Sequence, residues 1–336
     1  MEKKNIDWGK LGFGYVQTDK RFVSLYKDGA WDEGCLTDEA AVTMNECACV
    51  LQYAQTCFEG MKAYTTEKGQ IVCFRPDLNA ARMASSCRRL RMPVFPEDRF
   101  LQAVVDTVRA NAAWVPPFGS GASLYIRPFM FGSDAIIGVK PATEYQFRVF
   151  TTPVGPYFKG GVKPLALRIS DLDRAAPRGT GHVKAGLNYA MSLYNIMDAH
   201  DQGYDENVYV DSGSRTFIEE TGGANIVFIK GNTLVTPKSD TILPSITRRS
   251  LVYVAREYLG MEVEERPVPL TEIGDFTECG LCGTAAVISP VGTIDDHGKV
   301  VSYAGMGPVI QKLYDTLTGI QMGRIPAPEG WITVIE

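Results

Sequence analysis

Three short stretches hold residue types that could do chemistry together. "GHVKAGLNYA" (181–190) places one lysine, Lys184, between Gly181 and Gly186. A lysine that forms a Schiff base must be neutral and reachable, because a bulky carbonyl compound has to approach its tip. Gly181, Ala185 and Gly186 are expected to give that room. "IEETGGANIVF" (218–228) sets two carboxylates before a double glycine and a strand. A carboxylate aimed into a cleft from that strand end could keep a pyridine nitrogen protonated, which makes such a ring an electron sink. "LPSITRRSL" (243–251) opens a helix with Ser245 and Thr247, and the free N–H groups of a helix start are a ready anion site. "LCGTAAVI" (281–288) adds a small-residue turn at Gly283 and Thr284, and "RPDLNAARM" (75–83) adds Arg82, suited to clamping a phosphate.

Each stretch also has an ordinary structural reading. Lys184 could be a solvated helix-end lysine. Residues 218–228 could be an acidic turn entering a hairpin, and Ser245 an N-cap beside which nothing binds. What points to chemistry is their joint occurrence in one chain.

The elements that must position these residues follow from the pattern. Residues 123–131 and 145–152 read as strands. Residues 96–114 read as an amphipathic helix, with Leu101, Val104, Val105, Val108 and Ala112 at helical spacing. "PVGPYFKGGVKP" (153–164) has three prolines and three glycines in twelve residues and leaves little regular structure. It is the expected interdomain linker, taken as 153–161, between a small α/β domain (1–152) and a larger one (162–336) that carries the lysine. In the second half, 165–170 and 207–211 read as strands, 188–203 as a helix, and "NIVFIKGNTLVTP" as a hairpin turning at Gly231 and Asn232. A helix is expected over 245–260, from an N-cap at Ser245 to a stop at Gly260, and another over about 308–322. The fold class expected is α+β in two domains, with the ligand site in the cleft between them.

Composition narrows the partners. The 336 residues are 45% hydrophobic and 22% charged, with net charge −5 and no basic excess, which argues against nucleic acid. No apolar run is long enough for a membrane span. The start shows no secretory signal, so the eight cysteines are expected as free thiols in a reducing cytoplasmic setting. His182, His200 and His297 show no ligand spacing, and Cys279 and Cys282 alone do not make a zinc site, so no metal is expected.

"FEGMKAY" (58–64), "RPDLNAARM", "SLYIRP", "GHVKAGLNYA", "EETGGAN" and "LPSITRRS", in unbroken order, resemble the branched-chain amino acid aminotransferases. These are fold-type IV enzymes that use pyridoxal 5′-phosphate. The resemblance implies a role for each matching position. Lys184 would carry the cofactor as a Schiff base and move the substrate proton. Glu220 would pair with the pyridine nitrogen and Tyr189 with the phenolic oxygen. Arg82, the amides of Ile246 and Thr247, and the Thr284 hydroxyl would bind the phosphate. Phe13, Tyr53, Phe58, Tyr125 and Tyr157 would wall the side-chain pocket. Arg127 would accommodate the carboxylate of 2-oxoglutarate or glutamate, sharing a strand face with Tyr125 at period two. Amides near Gly223 and Ala285 would meet the substrate α-carboxylate. The reaction implied is reversible, ping-pong transamination between L-leucine, L-isoleucine or L-valine and 2-oxoglutarate in a homodimer whose pocket is closed by the partner. A different fold-type IV enzyme, a D-amino acid aminotransferase or aminodeoxychorismate lyase, is the nearest alternative. A non-catalytic anion-binding protein is the alternative from another class.

The chain departs from that family in two places. The redox-type Cys-x-x-Cys of some members, after the Gly-Thr turn, falls here on Ala286 and Ser289, and Cys279-Gly-Leu-Cys282 lies on the other side of Thr284. A family-type thiol switch is therefore not expected. The aromatic usual two residues after Asn225 is Val227 here, with Phe228 next.

Overall fold

The computed structural model describes residues 2–155 and 163–336. By contacts the chain divides into two compact units. One comprises Met1–Tyr157, Val183–Leu187 and Ile320–Glu336; the other comprises Phe158–His182 and Asn188–Gly319. The sequence division put all of 162–336 in one domain. In the structure the short stretch bearing Lys184 and the C-terminal segment group with the first unit instead. The C-terminal grouping has a plain cause: strand Ile332–Val334 pairs antiparallel with Ile71–Phe74 at the edge of the first sheet. The linker expectation falls mostly outside the described residues. Of 153–161, Pro153 and Val154 continue the strand Tyr145–Val154.

The first unit is built on a nine-stranded sheet. Its central pair, Ser123–Gly132 and Tyr145–Val154, is antiparallel over ten residues in unbroken register. Alternation divides the pair into two faces. Leu124, Ile126, Met130, Phe147 and Val149 point into a core shared with Met83, Phe100, Val104 and Val108 from the helices Pro76–Arg89 and Glu97–Ala110. Phe95 stacks on Phe147 with centroids 4.0 Å apart. The expected helix over 96–114 stops early because Asn111 turns its side-chain amide onto the carbonyls of Thr107 and Lys20, both at 2.8 Å. Residues 112–114 continue as a separate 3-10 turn.

The second unit carries a ten-stranded mixed sheet. Parallel pairs join Leu165–Ile169 to Glu206–Val210 and to Val287–Asp296. The expected hairpin is present as Asn225–Lys230 and Thr233–Pro237, turning at Gly231 in the left-handed region at φ 59°. The helix Ile246–Glu257 starts where the N-cap placed it, with Ser245 Oγ accepting from the Arg248 amide at 3.2 Å. Gly260 follows at φ 59°, the conformation glycine adopts without penalty. The helices Gly186–Asp201 and Pro308–Gln321 fall within two residues of expectation. The core of this unit gathers Leu167, Val208, Ile218, Ile226, Phe228 and Leu281.

Candidate active site

In the first unit, Lys184 is fixed by its main chain. Its carbonyl accepts from the Phe58 amide at 3.0 Å, and its own amide donates to Ser86 Oγ at 3.4 Å. The next residue, Ala185, bridges to Cys57 of the strand Thr56–Phe58. The side chain is half-buried, and its Nζ stands 4.9 Å from the centroid of the Phe58 ring. The same ring receives the Arg127 guanidinium at 4.6 Å. Arg127 and Tyr125 share a strand face as the period-two spacing predicts, with Arg127 Nη2 donating to the Tyr125 hydroxyl at 2.9 Å. Arg127 Nε is buried and has no hydrogen-bond partner among the described residues. Phe13 packs edge-on against Tyr125 at 5.4 Å. Tyr53, on a short helix, donates its hydroxyl to the Ile137 carbonyl. Tyr157 lies outside the described residues.

Two expectations about this region change. The glycines around Lys184 were expected to open an approach for a ligand. A Cβ on Gly181 would instead lie 2.2 Å from the Thr241 carbonyl oxygen, and one on Gly186 would lie 3.1 Å from Thr56 Cγ2. At Gly181 the chain's own main chain fills the space, and at Gly186 a side chain would crowd Thr56 by a few tenths of an ångström. Arg82, expected to hold a phosphate, also has a protein partner. Its Nε and Nη2 donate to the two oxygens of Glu59 at 2.8 and 2.6 Å, and Asn79 donates to the same carboxylate at 2.7 Å. Glu59 is fully buried. Sequence reasoning missed Glu59 and Asn79, although both stand inside motifs quoted for other residues.

In the second unit, Glu220 lies on the strand Phe217–Thr221 and is 4% exposed. Oε1 accepts from the Leu243 amide at 3.1 Å and from Arg174 Nη2 at 2.7 Å; Oε2 accepts from Asn225 Nδ2 at 2.9 Å. A carboxylate oxygen has two lone pairs, so Oε1 is filled and Oε2 keeps one. Burial pushes the carboxyl up to about 7, and the nearby Arg174 charge offsets only part of that rise. Arg174 was not singled out from the sequence, where "DLDRAAPRG" gives no signal beyond an arginine near a loop.

At the helix start in the same unit, Ser245 satisfies the Arg248 amide. That leaves the amides of Ile246 and Thr247 without an intrahelical partner; both residues are buried. Thr284 and Ala285 follow the strand Glu278–Gly283 and are half-buried. Tyr189 is half-buried on the helix Gly186–Asp201. Gly223 is exposed, and its amide, with that of Gly222, faces the Glu206 carboxylate.

The arrangement suits an anionic, cationic-ring cofactor. Uncommitted helix-start amides fit a phosphate, and a buried carboxylate with one spare lone pair fits a ring N–H. Cys279 and Cys282, three apart on one strand, lie on opposite faces and about 10 Å apart. That exceeds disulfide reach. Burial raises both thiols, Cys282 to about 12. No cluster of three or more His, Cys, Asp or Glu side chains able to hold a metal occurs among the described residues.

The chain is similar to known proteins over nearly its full length. Residues 56–294 match the family described as amino-transferase class IV. The branched-chain-amino-acid aminotransferase of Haemophilus influenzae is 50% identical over 99% of this chain and 100% of its own length. That of Helicobacter pylori is 48% identical over 98% of each. Among solved structures, the holo, pyridoxal-phosphate form of the branched-chain amino acid aminotransferase from Thermobaculum terrenum superposes with a TM-score of 0.80 at 27% identity, covering 95% of this chain and 100% of that one. The chain belongs to the branched-chain-amino-acid aminotransferases of class IV.

Proposed function

We propose that the protein transfers the amino group of L-leucine, L-isoleucine or L-valine to 2-oxoglutarate, reversibly, with Lys184 as the attachment point and proton carrier. The observation that carries this reading is the cluster on Phe58. An amine and a guanidinium, Lys184 and Arg127, meet one aromatic ring beside Tyr125. The family's cofactor is pyridoxal 5′-phosphate, which when bound supplies an electron sink for the substrate carbanion.

The chain's residues supply the rest. The Ile246 and Thr247 amides, Thr284 and Arg82 hold the phosphate. Glu220 Oε2 takes the ring N–H, and Tyr189 steadies the phenolic oxygen. Lys184 Nζ removes the proton from substrate Cα. Phe13, Tyr53, Phe58 and Tyr125 form an apolar wall, to which the family resemblance also assigns Tyr157. Such a wall separates leucine, isoleucine and valine by only about 1–3 kcal/mol per methylene, so all three are accepted. Arg127 receives the side-chain carboxylate of the second substrate, and its unpaired Nε gives it donor capacity for that task. The substrate α-carboxylate meets the amide of Ala285; the Gly223 amide, which the family pattern also assigns to it, faces the Glu206 carboxylate.

The protein is proposed to act as a homodimer in the cytoplasm. Ile137 and Val139, 80% and 89% exposed, are apolar residues of the kind an interface covers. All eight cysteines are free, and no helix among the described residues is long and apolar enough to cross a membrane.

The test is a substrate panel with 2-oxoglutarate, run beside Lys184→Ala. Wild type should convert all three branched-chain L-amino acids, and the variant should lose both turnover and the borohydride-reducible cofactor adduct. Activity with D-alanine alone, or an adduct that survives the substitution, would overturn the reading. Sedimentation of the loaded protein at half the dimer mass would remove the dimer.

A further inference from the structure

The sheet face that carries Tyr125 and Arg127 continues past them. In the strand register Arg127 lies opposite Phe150, and Phe129 opposite Arg148. The neighbouring strand Arg21–Lys27 sets Val23 opposite Arg148, so alternation puts Arg21 on that face as well. Two arginines therefore sit together, and both are buried, Arg21 at 3% exposed and Arg148 at 8%.

Neither arginine has an acid partner. Arg21 donates to the Asp38 carbonyl and, at 3.0 Å, to the Thr18 carbonyl. Arg148 donates to Gln146 Oε1 at 3.1 Å and to the Glu39 carbonyl at 3.3 Å. The Glu39 carboxylate attracts Arg148 weakly, but its Oε1 is engaged by the Ala41 amide at 2.7 Å. No ion pair reaches either arginine among the described residues. A guanidinium has five N–H donors, so each retains unused ones. Burial and the Arg21 charge lower the pKa of Arg148 from its ordinary value. Arginines are rarely buried without a counter-charge, and here two of like sign share one spot.

Both line a cavity of about 420 Å³ whose other walls include Tyr15, Val42, Phe129 and Phe150. Phe150 meets Tyr15 and Phe129 edge-on, each at 5.9 Å. A volume of several hundred Å³ with apolar walls and a few convergent polar groups is typical of small-molecule sites. A guanidinium fork matches a carboxylate. An inorganic phosphate or sulfate would leave the aromatic walls uncovered.

We propose that this cavity is a second binding site, separate from Lys184, for an amphipathic monocarboxylate. Its carboxylate would lie between Arg21 and Arg148, and its aliphatic or aromatic body on Tyr15, Phe129 and Phe150. The inference uses none of the residues assigned to transamination and stands or falls apart from that reading.

Calorimetric titration of the cofactor-loaded protein with 4-methylpentanoate tests it. This acid has neither an amino nor an oxo group, so it is not turned over. Wild type should show two sites per chain. Arg148→Met and Arg21→Met should each remove one site while leaving leucine transamination unchanged, and should melt no lower than wild type because an unpaired buried charge is gone. The amide 4-methylpentanamide should bind the second site at least tenfold more weakly. The amide comparison is made on wild type and decides the matter even if a variant does not fold. A single site per chain, a second site unchanged in both variants, or equal binding of acid and amide overturns the proposal. So does a single site combined with weaker self-association of Arg148→Met, which would mean that a second copy of the chain fills the cavity.

Discussion

Each unit buries an acid–arginine pair with one member proposed as a ligand group, and the two pairs are built in opposite senses. Glu59 takes two arms of the Arg82 fork and an amide from Asn79. Glu220 takes one nitrogen of Arg174, one main-chain amide and one side-chain amide, and keeps a lone pair on Oε2. In the first pair the acid is the brace and the arginine the proposed ligand group. In the second the arginine is the brace and the acid the proposed ligand group. The same two residue types are present in both, so identity does not assign the role. For Glu220 the spare lone pair on Oε2 assigns it, and that is a property of geometry.

The strongest way to break this contrast is Glu220→Gln. A neutral amide cannot hold a ring nitrogen protonated, so kcat with leucine should fall by about 10³-fold, the scale of losing one preorganised electrostatic contact. The cofactor should remain bound and visible in the absorption spectrum. A loss under tenfold would mean that Glu220 is merely structural, like Glu59.

Glu59→Gln should act on a different quantity. It leaves the Arg82 charge buried with a neutral partner, a change that costs about 3–5 kcal/mol when a buried pair is broken. Melting temperature should drop, and cofactor affinity should weaken by roughly 10–100-fold, as for other residues that orient a ligand group. With saturating cofactor, kcat should stay near wild type. A large kcat defect in the fully loaded variant would erase the distinction between the pairs.

How far the sequence alone reached follows the same line. The Ser245 cap and the common strand face of Tyr125 and Arg127 were legible because each stands in a local pattern: a helix start and a period-two spacing. The N-cap and the shared face of Tyr125 and Arg127 need only neighbours in sequence, and both are present as expected. Glu59 and Arg174 were not legible as braces. The acid reaches its arginine across 23 residues and the other arginine its acid across 46, distances at which spacing carries no information. Gly181 and Gly186 were misread for the same reason, since the atom that excludes a side chain at Gly181 comes from Thr241 and the one that crowds Gly186 from Thr56. The C-terminal strand was missed because its partner, Ile71–Phe74, lies at the far end of the chain.

The smallest predicted effect concerns pH in the cofactor-free protein. Burial holds Glu220 at about 7 in the folded chain, against about 4.3 for an unfolded glutamate. Between those values the folded state binds the extra proton, so this group's contribution to stability is complete below about pH 4.3 and is lost as pH rises through 7. At ~1.4 kcal/mol for each tenfold difference in proton affinity between the folded and unfolded chain, that contribution is at most ~4 kcal/mol. From pH 5 to pH 8, wild type should therefore lose more melting temperature than Glu220→Gln, which has no carboxyl to ionise. Arg174→Met should move the loss to higher pH, because the charge that offsets burial is gone. With cofactor bound, the ring N–H supplies a second positive partner and the slope should flatten. Parallel curves for wild type and Glu220→Gln would show a carboxyl that titrates normally. Glu220 would then be a settled acid rather than one waiting for a cation, and the asymmetry between the two pairs would be lost.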